Sequence, residues 1–387
     1  MPSSDTVPPA PGRSKNLVRS KNLVRAKNPV RVWLYTLAVL VVAMVAVGGA
    51  TRLTGSGLSI TEWRPVTGVV PPVSEQAWTA EFDKYKGTPQ YRILNQGMGL
   101  SDFKVIYAWE WGHRLLGRIL GLVFFVPLLV FWLRGLVDRR LGYGLLGLGA
   151  LGGLQGAIGW IMVASGLQPG MTAVAPLKLA LHLTTASLIL AGLVWLAAGL
   201  RTGASEPAPR RLRITAGLLP ILVLVQIGLG GLVAGSKAGL VHNTWPDMDG
   251  ALVPKASDLF AVSPWIENFV DNVTLVQFNH RLVAYLLVAL ALVHAIDARR
   301  RLPASGTARR ATGIAGMAVA QMALGIVTLL LAVPLWAGLA HQVFAMAVLM
   351  MATVHARLSR GAPRSTVATS AAATAAFGFE GMQGRSA

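Results

Sequence analysis

Apolar segments long enough to cross a membrane recur along the whole of this 387-residue chain. A helix of about 20 apolar residues spans the ~30 Å hydrocarbon layer of a bilayer. Only 13% of the residues are charged and the mean hydropathy is +0.55, which excludes an ordinary soluble protein. We therefore predict an all-α polytopic membrane protein with eight transmembrane helices. The predicted spans lie near residues 32–50, 105–133, 141–163, 177–200, 214–234, 273–296, 311–332 and 336–356.

Basic residues mark one side of these predicted spans. The formal net charge is +19, and arginines cluster before the first span, at 134–140, at 201–213, at 299–310 and after 357. Because Lys and Arg accumulate in cytoplasmic loops, we predict that both termini are cytoplasmic. The basic residues are neither gathered on one soluble domain nor interleaved with aromatic residues, so we expect no nucleic-acid partner.

The chain contains no cysteine, which excludes disulfides, iron-sulfur clusters and thiol catalysis. Residues 1–31 carry three similar basic hexads, RSKNLV, RSKNLV and RAKNPV, and residues 358–387 are rich in alanine. We predict that both segments are disordered cytoplasmic tails.

The two halves of the chain repeat one pattern of motifs. Because each repeat contains four spans, it returns the chain to the side where it began. We predict two tandem four-helix bundles, at residues 32–200 and 214–357, joined by a cytoplasmic linker at 201–213. The matched motifs are Gly48-Gly49 and Gly230-Gly231, His113-Arg114-Leu115 and His280-Arg281-Leu282, Gln155-x-Ala157-x-Gly159 and Gln321-x-Ala323-x-Gly325, and the single histidines His182 and His341.

Four of the seven histidines share one depth inside the even-numbered spans, about one to two turns from the outer ends of these spans. Ionisable residues at such positions are costly, and two histidines on facing helices are sufficient to ligate a haem iron. For one histidine a helix-to-helix hydrogen bond would be the simpler interpretation, but four matched positions favour ligation. We predict two haem sites, one formed by His113 and His182 and the other by His280 and His341.

Two further histidines share helix faces with predicted ligands. His294 and His355 each lie 14 residues beyond one, close to a whole number of helical turns. A second, inner haem between them is an alternative, although the second and fourth spans have no counterparts. His242 lies in an outer loop, where polarity favours a surface residue over a lid contact.

Two arginines directly follow predicted haem ligands. Arg114 and Arg281 lie near the outer interface, where a guanidinium group can pair with haem propionates. Simple extension of the side chains to the interface is the alternative.

The halves differ at one informative position. Glu110 precedes His113 by three residues, and Gln277 occupies the equivalent place before His280. The glutamine indicates that the fold does not need a charge there, so the first half is the candidate for chemistry and the second for electron transfer. A buried carboxyl group beside a macrocycle could take or deliver protons. Pairing of Glu110 with Arg114 or Arg118 for structural reasons is the alternative.

Several motifs in order resemble those of the haem A synthase family, and the resemblance covers roughly residues 30–357. This sequence is similar to the cysteine-free, long-loop branch of proteobacteria and mitochondria rather than to the branch with a cysteine pair in its first outer loop. The motifs are Gly48-Gly49-Ala50-Thr51-Arg52-Leu53-Thr54, Ser56-Gly57-Leu58-Ser59, Trp63-Arg64-Pro65, Gly68 to Pro72, Glu110-Trp111-Gly112-His113-Arg114 and Asn243-Thr244-Trp245-Pro246 with Gly250.

The resemblance implies an oxidoreductase that converts the C8 methyl group of haem O to a formyl group by successive hydroxylations, with water as the oxygen source. The product, haem A, serves cytochrome oxidase. It further implies that His280 and His341 ligate the iron of a haem b cofactor. His113 and His182 are implied to bind the substrate haem, and Glu110 to be the essential glutamate.

The same resemblance places the protein in the bacterial inner membrane and suggests haem O synthase, the protohaem farnesyltransferase, as a partner. A homo-oligomer is compatible with the sequence, which does not fix the number of copies. Two other functions remain open from the residues alone: a dihaem b-type subunit that transfers electrons, and a membrane haem carrier. Glu110 separates these from the enzyme, because an electron carrier has no use for a carboxylate beside one haem only.

Overall fold

The computed structural model describes residues 11–201 and 207–361, with side chains from residue 28 onward. Within these ranges the chain is helical and contains no strand. The helices are α1 (Pro11–Leu53), α2 (Glu75–Lys86), α3 (Pro89–Leu94), α4 (Leu100–Leu133), α5 (Arg139–Gly166), α6 (Pro176–Gly199), α7 (Arg210–Gly235), α8 (Ala256–Leu259), α9 (Val273–Arg301), α10 (Gly306–Leu330) and α11 (Leu335–Ser359).

Eight of the described helices are long and apolar enough to cross a membrane, which confirms the predicted all-α polytopic fold. They are α1, whose apolar part is Asn28–Leu53, and α4, α5, α6, α7, α9, α10 and α11. Each overlaps one predicted span. Capping residues set several of the ends: the side chains of Asp138, Asn272 and Ser305 accept hydrogen bonds from the first turns of α5, α9 and α10.

The sequence predicted that the tail ends and the first span begins at residue 32. In the structure α1 begins at Pro11 and runs without interruption through this boundary. Part of the basic tail is therefore helical in the structure. The tail predictions for residues 1–10 and 362–387, and part of the predicted linker at 202–206, lie outside the described residues.

The helices pack as two similar groups. In the first group α1 packs on α4 and α6, and α5 packs on α6. In the second group α7 packs on α9 and α11, and α10 also packs on α9 and α11. The helices α1, α6, α7 and α11 join the two groups. Small residues allow this close contact, since a Cβ at Gly231 would lie 2.8 Å from the Cα of Ala180.

The connections on the predicted outer side carry structure that hydropathy did not predict. The first contains α2 and α3, whose N-termini are capped by Ser74 and Thr88. These helices were predicted only as loop because they are short and polar. Aromatic residues fix them onto the outer end of α4 in a compact cluster of Ile60, Phe82, Tyr85, Phe103, Ile106 and Tyr107.

Candidate functional site

Each of the four predicted haem ligands packs against a glycine of a neighbouring helix. At three of these glycines an added Cβ would lie closer than 3.0 Å to the imidazole Cε1 atom, so the ring could not keep its position, and at Gly230 the contact would be tight. These distances are 2.8 Å from Gly48 to His113, 2.8 Å from Gly159 to His182, 3.2 Å from Gly230 to His280 and 2.7 Å from Gly325 to His341.

His113 lies near His182, and His280 lies near His341. Ligation of a haem iron by these two pairs stays a prediction. The Nδ1 atoms of His113 and His182 are buried and have no hydrogen-bond partner. Buried polar atoms without partners are rare and costly. Two neutral imidazoles with spare ring nitrogens on facing helices fit the axial ligands of a haem iron.

No three His, Cys, Asp or Glu side chains within residues 11–201 and 207–361 form a group that could hold a free metal ion. Paired imidazoles suit an iron whose four remaining ligands come from a porphyrin.

A glutamine holds the backbone beside three of the four histidines. The Nε2 atom of Gln155 donates to the carbonyl of His182 at 2.9 Å, Gln226 to that of His280 at 3.0 Å, and Gln321 to that of His341 at 2.9 Å. Each glutamine lies four residues before the glycine that contacts the same ring. In α1 the corresponding residue is Met44, which has no N–H group to donate.

We expect Gly325→Ala to reduce the haem content of the second half. The new methyl group would lie 2.7 Å from the His341 ring, and such overpacking costs about 1–3 kcal/mol or displaces the ring from its ligating position. Gly316→Ala is the matched control on α10, since its added Cβ would meet nothing within 4 Å. The pyridine haemochrome absorbance per protein measures the effect. Equal haem content in the two variants would contradict the role of this contact.

Glu110 is buried, with 3% exposure, and its carboxylate is surrounded by hydrogen-bond donors. The Oε2 atom accepts from the hydroxyl of Ser59 at 2.7 Å and from the backbone N–H of Ile60 at 2.9 Å. The Oε1 atom accepts from Arg114 at 2.6 Å. Glu110 therefore connects α4 to the first outer loop as well as lying one turn from His113.

Gln277 makes the corresponding connection in the second half without a charge. Its Oε1 atom accepts from Arg281 at 2.7 Å, and its Nε2 atom donates to the carbonyl of Ala238 at 2.6 Å. Glu110 and Gln277 therefore hold equivalent arginines, and that contact does not require a carboxylate. The loop contacts differ, because Ser59 and Ile60 donate to Glu110 whereas the carbonyl of Ala238 accepts from Gln277.

Arg114 and Arg281 bind loop carbonyl groups, which sequence reasoning missed. Arg114 donates to Ile60 at 2.9 Å and to Glu62 at 2.9 Å. Arg281 donates to the carbonyls of His242, Thr244 and Asp247. The Nε atom of Arg281 is buried without a partner. Contact of these arginines with haem propionates stays a prediction, and that atom is a donor available for it.

The inner histidines do not flank a haem site. The Nε2 atoms of His294 and His355 lie 2.7 Å apart, and the Nδ1 atom of His294 lies 2.6 Å from the hydroxyl of Thr215. Direct contact between the rings leaves no space for a macrocycle, so the alternative of an inner haem is wrong. Hydropathy and spacing placed these rings on suitable faces but could not give the distance between them.

His242 is not the surface residue that loop polarity favoured. Its side chain is only 17% exposed, and Nδ1 lies 2.6 Å from the carboxylate of Asp249. Its Nε2 atom lies 3.1 Å from the hydroxyl of Thr274 on α9. His242 is therefore a loop contact above the second pair of ligands.

The fold and the site define a polytopic membrane protein with two four-helix groups, each presenting a pair of half-buried histidines suited to haem. The chain belongs to the COX15-CtaA family of cytochrome oxidase assembly proteins, whose family model matches residues 31–353.

Three relatives illustrate the similarity. The chain is 73% identical over 357 residues to a protein of Methylorubrum extorquens strain PA1 named Heme A synthase, covering 92% of this chain and 93% of that protein. It is 73% identical over 354 residues to the Heme A synthase of Methylobacterium radiotolerans, with 92% and 95% covered. The Heme A synthase of Brucella anthropi is 50% identical over 332 residues, with 86% and 92% covered. These findings confirm the family resemblance drawn from the motifs.

Proposed function

We propose that this protein oxidises the C8 methyl group of haem O to a formyl group and so makes haem A for cytochrome oxidase. The names of the relatives support this activity. The observation in the molecule that carries the proposal is the difference between its halves. One histidine pair is accompanied by the buried carboxylate of Glu110, and the other by the amide of Gln277.

The first half is the proposed substrate site, and the second the proposed cofactor site. His113 and His182 would bind the iron of haem O, while His280 and His341 would hold haem b. The bound haem b supplies one-electron transfer. The glutamines support this assignment of the two sites. In the second half, glutamine side chains bind the backbone of both proposed ligands, His280 and His341. In the first half a glutamine binds the backbone of His182 only.

The overall reaction balances with water as the oxygen donor. One methyl group and one water give one formyl group, four protons and four electrons, in two hydroxylations followed by loss of water from the geminal diol. The four electrons would pass to an external oxidant through the haem that His280 and His341 would hold, and the protons require an acceptor. Glu110 is the proposed acceptor, because it lies one turn from His113 and an amide is sufficient to hold the equivalent arginine in the other half.

The chain also orients the outer loop over the substrate site. Arg114 is fixed by Glu110 and in turn fixes the carbonyls of Ile60 and Glu62. The aromatic cluster of α2, α3 and α4 covers the same end of the bundle. We propose that this cover limits the access of water, so that the oxygen donor reaches the methyl group from a restricted direction.

Pigment extraction with mass analysis tests the activity. Haem O should accumulate in cells that lack this protein and make haem O, and haem A should appear when the protein is restored. A dihaem electron carrier would bind haem b in both halves and leave haem O unchanged. A haem carrier would bind haem O without forming the hydroxylated or formyl product. Either pattern, with normal amounts of folded protein, would contradict the proposal.

We further propose that both termini face the cytoplasm of a bacterial inner membrane, which places the histidine pairs toward the outer leaflet. The distribution of arginines supports this orientation. Haem O synthase is the proposed donor of the substrate.

A further inference from the structure

The two halves differ in how their second and third membrane helices meet. In the second half α9 and α10 pack along their lengths, and Ala308, Ala311, Ile314, Ala315 and Ala318 of α10 are buried. In the first half α4 and α5 contact each other mainly near the predicted cytoplasmic end, and no residue of α5 from 146 to 164 is buried. Within the most apolar 18-residue stretch, 6% of α5 is buried against 22% of α10. The first bundle is therefore open on this side.

The contact that does exist identifies the facing surfaces. On α5, a Cβ at Gly142 would lie 3.0 Å from Trp132 of α4, and one at Gly149 would lie 3.2 Å from Phe124 and 3.3 Å from Phe125. These contacts close the gap at its inner end.

Further out along the same face of α5 are Gly153, Gly156 and Trp160, each three or four residues beyond the last. A Cβ at Gly153 or Gly156 would meet nothing within 4 Å, and the same is true of Gly121 on the facing side of α4. The helices are therefore separated at this level, next to Gly159, which contacts the ring of His182. We call the gap lined by Gly121, Gly153 and Gly156 the lateral window.

The first outer loop closes the outer end of the lateral window. Arg118 of α4 donates to the carbonyls of Arg64 and Pro65, both at 2.8 Å. The ring of Trp63 lies 6.1 Å from that of Trp160 on α5. One donor of Arg118, the buried Nη1 atom, has no hydrogen-bond partner. The window thus has aromatic residues at both ends and a spare donor at its outer rim.

The second half carries larger side chains at the equivalent positions. When His113 is aligned with His280, Gly121 corresponds to Val288, which is buried. When Gln155 is aligned with Gln321, Gly156 corresponds to the half-buried Met322 and Gly153 to Val319, which is exposed. The window is therefore a property of the proposed substrate half alone.

We propose that the lateral window holds the isoprenoid chain of haem O while the macrocycle lies between His113 and His182. The proposal rests on the proposed function, because it takes haem O as the substrate. Haem O carries a long apolar chain that does not fit inside a closed four-helix bundle, whereas a cofactor haem b has only short vinyl groups at its edge. A gap that opens to lipid beside the unpartnered His113 and His182 nitrogens accommodates that chain in an apolar medium. The isoprenoid chain is attached to the macrocycle through a carbon that carries a hydroxyl group. This hydroxyl group would accept a hydrogen bond from the unpartnered Nη1 atom of Arg118 at the outer end of the window.

Leucine substitutions at Gly153 and Gly156 test the proposal. The full-length protein with its bound haem b is titrated with haem O and, separately, with haem B, which lacks the chain. We expect Gly153→Leu and Gly156→Leu to weaken haem O binding by at least about tenfold and haem B binding by less than about threefold. Gly147→Leu is the matched control, since Gly147 is also exposed on α5 with open space around it but lies on another face.

The outcomes distinguish the competing explanations. Unchanged haem O binding in both variants, or equal weakening for haem O and haem B, would overturn the proposal. Native mass spectrometry that showed the leucine variants dissociating an oligomer would assign the window to a second copy of the chain and would also overturn it. If the unsubstituted protein neither bound nor converted haem O, the proposed function itself would fail. If it made haem A but Gly156→Leu had no effect, only the window assignment would fail.

Discussion

A Glu110→Gln variant should retain haem b in the second half and lose haem A formation by at least about 100-fold. The side chain remains nearly the same size, and Gln277 shows that an amide can hold the equivalent arginine. The variant removes the negative charge and with it the proposed proton acceptor. Pigment extraction with mass analysis should show haem O in place of haem A, and the haem b spectrum should be unchanged.

The surroundings of Glu110 require a control for local disruption. The Oε2 atom faces two donors, Ser59 and the N–H of Ile60, so an amide nitrogen placed there would oppose a donor. A lost or opposed buried hydrogen bond costs about 1–3 kcal/mol. Ser59→Ala removes one of these donors and keeps the carboxylate. We expect this control to retain most of its activity. A Ser59→Ala variant as inactive as Glu110→Gln, or haem A formation at the normal rate by Glu110→Gln, would contradict the proposed role.

A His280→Ala variant should lose most of its haem b. The imidazole of His280 is the proposed ligand on α9, and its ring packs on Gly230 with the Gln226 amide beside it. Alanine cannot ligate the iron, and it leaves an empty space where the imidazole packed against Gly230. Neither ligation nor packing would then hold the macrocycle on the α9 side. The haem content per protein, measured as the pyridine haemochrome, and the loss of the spectrum of a bis-histidine haem give the result.

His294→Ala provides the comparison on the same helix. His294 is buried with 1% exposure and bonds to His355 and Thr215, so its loss also disturbs the interior of the second half. It is not a proposed ligand, and we expect the variant to keep its haem b. Equal haem loss in the two variants would attribute the His280→Ala effect to general destabilisation. Normal haem content in His280→Ala would remove His280 from the site.

Hydropathy was sufficient to predict the eight spans, and internal repetition selected the four matched histidines. Both signals are local: a span is recognised by its own composition, and a repeat by matched residues along the chain. The motifs Gly48-Gly49 and Gly230-Gly231 were recognised as repeats, but their contact with His113 and His280 depends on which helices are neighbours. Gln226 was missed as well, although alignment of the halves on these glycines would have placed it opposite Met44.

Contacts between distant residues could not be predicted. The pairing of His294 with His355 depends on the crossing of α9 and α11, which no periodicity reports. The arginines were assigned to propionates because their charge and position suggested an anionic ligand. In the structure carbonyl groups of the outer loops accept their hydrogen bonds, since a loop folded over the bundle has unpaired backbone groups to satisfy.

Met44, which interrupts the series of glutamines, bears on how long each haem stays bound. A cofactor should remain for the lifetime of the protein, whereas a product must depart after every turnover. The helix that contacts His280 and the one that contacts His341 each carry an amide bonded to the ligand's backbone, but α1, beside His113, presents a thioether that packs near Gly117. A thioether can move without breaking a hydrogen bond, so α1 holds the backbone of His113 less firmly than α7 holds that of His280. A haem bound in the second half should accordingly stay longer than one bound in the first half.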